Sequence, residues 1–240
     1  LFDSIETKGY TRIVYVHHEQ AAVMAAGAYY RTCGELSVAL VTAGPGAANA
    51  ITGVVSNWAD SIPCIILSGQ ESTFYIKEHK RLRMIGTQGF NAAKMLKDVT
   101  KYSVIASKDS IVYEMQKTHH LCQQGRPGPV WIEIPFDTQS AMIDIKKQKK
   151  YDVKIVKDTF DLSELEKLLR DCKRPVILGG HGIRLSNSKD SFRKLINKYQ
   201  VPTLLTWSGI DLLPNNNKYY FGRSGIYGQR CANFVVQNCD

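Results

Sequence analysis

Two short apolar runs, Leu36 to Thr42 and Ile62 to Ser68, flank the turn Gly44-Pro45-Gly46 and a helical stretch running from Ala47 towards Asp60. Each run is strand-sized and bounded by turn residues, the pattern of a strand buried on both faces. Strand, helix, strand at this spacing is a βαβ unit, so the sheet is parallel and the fold class is α/β. Sheets of this kind bind ligands outside the carboxyl ends of their strands, which is where the Gly-Pro-Gly turn opens.

The same rhythm continues on either side. Arg12 to Val16 reads as a short strand delivering the chain to His17 and His18, followed by an alanine-rich helix from Ala21 to Tyr30, with Gly27 allowing close packing and Gly34 as its end. Downstream, Lys77 to Arg83 reads as a basic loop leading to Gly86-Thr87-Gln88-Gly89-Phe90, then a short helix through Met95 and Leu96, a strand from Tyr102 to Ile105 and a helix from Ser110 to Gln123. Gly125-Arg126-Pro127-Gly128-Pro129 turns the chain into the apolar strand Val130 to Ile134, which Pro135 stops.

Residues 139–158 break this rhythm and hold the lysine excess between Lys146 and Lys157. A first domain at residues 1–140, a linker at 141–158 and a second α/β domain at 159–240 are therefore expected. In the second domain, Asp161 and Glu164 form a capping arrangement ahead of an apolar face of Leu162, Leu165, Leu168 and Leu169. The strand Pro175 to Leu178 leads into Gly179-Gly180-His181-Gly182, and a helix through Phe192, Leu195 and Ile196 precedes the strand Thr203 to Thr206. Gly222, Gly225 and Gly228 mark a loop region, Ala232 to Val236 a helix, and a further strand is expected past Asp240, so this domain reads as truncated.

Composition narrows the function classes. Hydrophobic residues make up 44% and charged residues 22% of the 240, which argues against disorder. No apolar run approaches the roughly 20 residues of a membrane span, and no signal peptide follows Leu1. The net charge of +9 would suit nucleic acid or anionic cofactors, but the lysine run reads as a solvated linker without aromatic residues to stack bases, so neither nucleic acid nor membrane is expected as a partner. Six scattered cysteines without a CxxC pair suggest reduced thiols and a cytoplasmic location. His119, His120 and Cys122 lack closing ligands, and no metal site is expected among these residues.

Glu19 heads a helix, where the dipole favours its anion. The glycines at 44 and 46 let backbone approach a flat ring, and Pro45 fixes that approach. Taken singly these are a helix-start charge and a turn; together with the polar strand end Ser68-Gly69-Gln70 they read as half of one cofactor site.

The motifs His18-Glu19-Gln20-Ala21-Ala22, Thr42-Ala43-Gly44-Pro45-Gly46-Ala47-Ala48-Asn49, Asp60-Ser61-Ile62-Pro63, Ser68-Gly69-Gln70 and Gly125-Arg126-Pro127-Gly128-Pro129-Val130 resemble the pyrimidine-binding domain of thiamine-diphosphate enzymes of the acetolactate-synthase type. The resemblance implies that Glu19 bonds N1′ of the aminopyrimidine and favours the imino tautomer, whose 4′-nitrogen takes the proton from thiazolium C2. It also implies that Pro45, Gly46 and Asn49 line the cofactor and that Gln88 reaches its reactive end. A partly buried Glu19 with a raised pKa is expected.

The segments Arg83 to Gln88, Lys97 to Tyr102, Thr206 to Asp211 and Tyr219 to Arg223 are more similar to homologues of surface-sugar biosynthesis. That implies transfer of a two-carbon unit from a 2-keto acid such as pyruvate to a carbonyl acceptor, a keto acid or keto-sugar. After Gln88 such relatives usually carry an acid, where this chain has Gly89-Phe90-Asn91.

The second domain resembles the Rossmann-like middle domain that holds FAD, with Gly179, Gly180, Thr206, Trp207, Gly225 and Arg126 at flavin positions. Several relatives keep that fold without flavin; strand-end glycines equally serve turns, and Arg126 equally serves a surface ion pair. The family holds diphosphate and Mg²⁺ through a Gly-Asp-Gly motif of a third domain, a motif not found in this sequence. The implied working form is a homodimer or homotetramer of the full-length chain, with this stretch inactive alone. The alternative is a non-catalytic paralogue binding FAD or a partner on the same scaffold, and Glu19 is the residue that separates the two. A nicotinamide-dependent dehydrogenase is disfavoured because no G-x-G-x-x-G follows a strand.

Overall fold

A computed structural model describes residues 1–79, 81–153 and 159–240. The chain divides into two compact units, residues 1–155 and 156–240. Lys80 of the basic loop and residues 154–158 of the expected linker lie outside the described residues.

In the first unit the elements are α1 (Phe2–Lys8), α2 (Glu19–Cys33), β1 (Val38–Val41), α3 (Pro45–Ala59), β2 (Ile65–Gln70), α4 (Thr73–Glu78), α5 (Ala92–Met95), β3 (Tyr102–Ile105), α6 (Ile111–Gln123), β4 (Val130–Pro135) and α7 (Phe136–Ser140). The strands form one parallel sheet in the order β1-β2-β4-β3, with Leu67 beside Ile132 and Ser68 beside Glu133.

Alternation along the strands sends side chains to two cores. Ile66, Cys64 and Trp131 pack with Val23 of α2, Ala47, Ala50 and Val54 of α3, and Ala92 and Ala93 of α5. Ile65, Leu67, Val130, Ile132 and Ile134 pack on the other face with Cys122 of α6. A sheet covered on both faces explains why its strands read as apolar runs rather than as alternating ones.

The α2–α3 packing is close because each helix sets a glycine against a side chain of the other, Gly27 against Asn57 and Gly53 against Val23. A Cβ at Gly27 would lie 2.1 Å from Asn57 Oδ1, and one at Gly53 would lie 2.7 Å from Val23 Cβ. Buried Asn57 closes this contact by donating to Val23 O at 3.2 Å and to Cys64 Sγ at 3.2 Å. Burial pushes the Cys64 thiol up to about 12, so it serves as an inert core group. Gly34 ends α2 in the left-handed conformation with its N–H on Tyr30 O at 2.8 Å.

The second unit comprises α8 (Ser163–Asp171), β5 (Ile177–Gly179), α9 (Gly182–Leu185), α10 (Lys189–Tyr199), β6 (Thr203–Leu205), a 3₁₀ turn at Trp207–Gly209, β7 (Tyr220–Arg223) and α11 (Arg230–Asn238). Its parallel sheet runs β5-β6-β7, and Phe192, Ile196, Leu205, Leu212 and Leu213 form its core.

Several local expectations are corrected. Residues 12–16 form no strand: Val14 and Tyr15 are exposed, and no neighbouring strand pairs with this stretch among the described residues. Gly222 lies inside β7 rather than in a loop, its φ of 102° matching the irregular register between β6 and β7. A short helix, α7, follows Pro135, and α4 takes in Lys77 and Glu78, the first residues of the expected basic loop. Asp161 Oδ1 accepts from Ser163 N at 2.9 Å, so the turn before α8 is closed by Asp161 alone, while Leu162, Leu165, Leu168 and Leu169 are exposed.

Candidate functional site

Glu19 is the first residue of α2, set there because His18 caps the helix by accepting from Gln20 N through Nδ1 at 3.1 Å. Its side chain reaches across to the start of α3. Asn49 Nδ2 donates to Glu19 Oε2 at 3.1 Å, and a Cβ at Gly46 would lie 3.0 Å from Glu19 Oε1 and 2.6 Å from Thr42 Cγ2. Gly46 is therefore the residue that lets a carboxylate lie against the first turn of α3. Asn49 and Pro45 are exposed and Glu19 is half-buried, so one side of the carboxylate stays open.

The Glu19 carboxyl is held below the ordinary glutamate range, first by the Asn49 donor and then by its own helix-start amide, which outweigh the slight burial. The expected upward shift is thus corrected: the group is too open for desolvation to win over two donors.

Gly44 takes φ 65°, a left-handed turn that a glycine adopts at no steric cost, and its open face meets the next piece of the site. A Cβ there would lie 2.5 Å from Gln88 O, and Gln88 Nε2 approaches Ala43 O at 3.4 Å. The structure therefore brings Glu19, Pro45, Gly46 and Asn49 together and sets Gln88 against the Gly44 side of the same turn. The segment holding Gln88 is a tight loop, closed by Ile85 N on Gly89 O at 2.8 Å and Gly89 N on Ile85 O at 2.9 Å.

Behind that loop lies a buried polar network. Gln70, the last residue of β2, donates through Nε2 to Glu133 Oε2 at 2.6 Å and to Phe90 O at 2.8 Å. Glu133 Oε1 accepts from Ala93 N at 2.6 Å, and Glu133 is fully buried. Burial lifts the Glu133 carboxyl above the ordinary range, against the lowering effect of the Gln70 and Ala93 donors. Glu133 and Glu71 are the site-supporting residues that the sequence reading passed over. The signal was present for Glu133: an acid within Val130-Trp131-Ile132-Glu133-Ile134, a strand buried on both faces, requires partners.

Arg126 donates through Nε to Ser61 Oγ at 2.6 Å, bracing a residue whose φ is 58°. It is bonded within the first unit, to a hydroxyl and not to an acid. In the second unit, Gly179 has a packing reason: a Cβ would lie 2.8 Å from Phe192 Cζ and 3.0 Å from Leu205 Cδ2. A Cβ at Gly180 would lie 3.5 Å from Thr206 Oγ1, Gly225 takes φ 124°, and the Trp207 ring is covered by the Arg223 guanidinium, 4.6 Å from its centroid. An open depression of about 740 Å³ lies nearby between Arg193, Asp211, Phe221, Arg223 and Gln229, lined by none of the five flavin-position residues of this unit.

Among the described residues there is no group of three or more His, Cys, Asp or Glu able to hold a metal ion, and no helix is long and apolar enough to cross a membrane.

Residues 1–95 match the family described as thiamine pyrophosphate enzyme, N-terminal TPP binding domain, and residues 162–240 match thiamine pyrophosphate enzyme, central domain. The chain is 32% identical over 239 residues to a probable acetolactate synthase large subunit of Methanocaldococcus jannaschii, an alignment covering 95% of this chain and 39% of that protein. It is 30% identical over 246 residues to the acetolactate synthase large subunit of Lactococcus lactis, covering 100% of this chain and 42% of that protein. It is 30% identical over 247 residues to the isozyme 1 large subunit of Escherichia coli, again covering 100% and 42%. The chain thus spans about two fifths of the length of these curated relatives.

Proposed function

Because the chain belongs to the thiamine pyrophosphate enzymes, joining their N-terminal cofactor-binding domain to their central domain, we propose that it forms the pyrimidine-recognising half of a thiamine-diphosphate site in an acetolactate-synthase-like carboligase. The observation that carries this reading is the Glu19 carboxylate, held by Asn49 and kept open on its other side. A scaffold without catalysis has no use for a half-buried acid pinned in this way, which disfavours the paralogue that only binds FAD or a partner.

The residues present fit the aminopyrimidine. Glu19 offers an anionic acceptor to a ring nitrogen, Gly44 and Gly46 keep the turn free of side chains, and Pro45 presents an apolar edge. When bound, thiamine diphosphate supplies a thiazolium that takes up the electron pair released as a 2-keto acid loses CO₂. Glu19 holds a proton at N1′, and because its own pKa is lowered it does so as a hydrogen-bonded anion rather than as a neutral acid. Asn49 fixes which carboxylate oxygen faces the ring. Gln88, set beside the turn, is assigned to the reactive end, where it orients the donor or acceptor carbonyl.

The substrates proposed are a 2-keto acid such as pyruvate as donor and a keto acid or keto-sugar as acceptor, in a cytoplasmic homodimer or homotetramer of the full-length chain. The domain limits proposed are 1–140 and 159–240, with 141–158 as linker. Mg²⁺ belongs to this reading but to none of the described residues. FAD in the second unit has weaker support, since Gly179 is accounted for by packing and Arg126 by Ser61, leaving Gly180, Thr206, Trp207 and Gly225.

The test is Glu19→Gln in the full-length protein, reading exchange of the C2 proton of bound thiamine diphosphate by NMR. Exchange falls by about a hundredfold or more with the fold retained, the scale of lost acid–base assistance. Exchange at the wild-type rate would remove Glu19 from the mechanism and the proposal with it.

A further inference from the structure

Glu71, immediately after β2, touches none of Glu19, Pro45, Gly46 or Asn49, yet the loop carrying Gln88 is wrapped around it. We infer that Glu71 is a positioning residue for Gln88: its carboxylate fills the concavity of residues 85–91 and fixes Gln88 against the Gly44–Pro45 turn. That Gln88 matters for turnover rests on the thiamine-site reading; that Glu71 sets its place does not.

Glu71 Oε1 accepts from two consecutive amides, Thr87 N at 3.0 Å and Gln88 N at 3.2 Å. Successive N–H groups converging on one oxygen form a nest, a backbone arrangement suited to an anion. Here the anion is supplied by the chain itself.

The loop also closes on Glu71 sterically. A Cβ at Gly86 would lie 2.5 Å from Glu71 Cδ, and one at Gly89 would lie 2.6 Å from Glu71 Cγ and 2.6 Å from Gln70 Oε1. Gly86 N donates outward to His79 Nδ1 at 3.1 Å, so both sides of the loop are held. On the far side Gln88 O abuts Gly44. Gln88 is thereby clamped between the Glu71 carboxylate and the turn.

The clamp is anchored in the sheet. Gln70 is bound to buried Glu133 and to Phe90 O, and its Oε1 accepts from Glu71 N at 2.9 Å. The position of Glu71 is therefore set by the ends of β2 and β4, and it passes that position to the loop.

Two measurements on the full-length protein test this. In Glu71→Ala without cofactor, hydrogen exchange of the Thr87 and Gln88 amides speeds up by on the order of ten- to a hundredfold, the loss of bonds to a charged acceptor, and Glu71→Gln, which keeps an acceptor oxygen, restores most of the protection. Unchanged exchange in Glu71→Ala overturns the inference whatever the cofactor reading.

With thiamine diphosphate and Mg²⁺ added and pyruvate as donor, Glu71→Ala lowers kcat about tenfold or more while C2-proton exchange stays at the wild-type rate, and Glu71→Ala combined with Gln88→Ala is no slower than Gln88→Ala alone. Losses that multiply in the double variant overturn the positioning role. Failure of the Glu19→Gln test with the amide result intact removes the thiamine reading and leaves Glu71 as the holder of Gln88.

Discussion

Replacing Glu133 by glutamine tests whether the buried network behind the site is held as described. The carboxylate accepts from Gln70 Nε2 and Ala93 N, each at 2.6 Å, using one oxygen for each donor. A glutamine at 133 has a single oxygen, so one donor meets an NH₂ instead. Gln70 cannot turn its amide to help without losing Phe90 O and Glu71 N. One unsatisfied buried donor costs about 1–3 kcal/mol. The pH dependence gives the sharper test. Because burial raises the folded-state value, the stability associated with the protonated carboxyl is complete below the unfolded value of about 4.3 and is lost as pH rises through the folded value. Glutamine does not titrate. The deficit of Glu133→Gln is therefore largest below about pH 4.3 and shrinks as pH rises through the folded-state value. Urea unfolding followed by tryptophan emission reads this locally, since Trp131 is fully buried two residues from Glu133 while Trp58 and Trp207 are already exposed. A deficit that grows with pH would mean that the ionised carboxylate is favoured by the fold, and the account of Glu133 would be wrong.

Asn49→Ala removes the donor at 3.1 Å from Glu19, so the Glu19 carboxyl titrates at higher pH than in the wild type, followed by carboxyl ¹³C shifts; an unmoved titration would assign its acidity to another group. Gly27→Ala places a methyl 2.1 Å from Asn57 Oδ1 and displaces the bonds from Asn57 to Val23 and Cys64. Overpacking of this kind costs about 1–3 kcal/mol, partly offset by the better helix propensity of alanine, and a urea midpoint at or above that of the wild type would contradict the packing described.

The parallel α/β sheet was readable because strands covered on both faces leave apolar runs, and those of β1, β2 and β4 stand between turn residues. Gly27 was readable as a packing residue because a glycine inside an alanine-rich helix needs such a reason. What escaped had weaker local signals. Residues 12–16 have strand composition, but pairing depends on a neighbour that the residues themselves do not specify. In β7 a glycine interrupts four residues, and tertiary pairing with β6 overrides it. The Glu19–Asn49 bond spans 30 positions, so local patterning gave only a charge at a helix start, and the family motif was needed to link the two. Glu71 had no signal at all, because its partners are the backbone amides of a loop.

Two glutamates serve the same end of one sheet, and their surroundings send them opposite ways. Glu133 sits where β4 is covered by α5 and is raised by burial; Glu19 sits at a helix start with one open side and is lowered by its donors. A group that exchanges a proton with a bound ring must be reachable, and Glu133, fully buried with both oxygens engaged, is not. In the proposed thiamine site access therefore favours Glu19 over Glu133, although a carboxyl raised by burial would by itself draw attention to Glu133. What Glu133 offers is rigidity: through Gln70 it fixes the ends of β2 and of the 85–91 loop, so that the two faces of the Gly44–Pro45 turn, one meeting Glu19 and the other Gln88, are set by the same sheet.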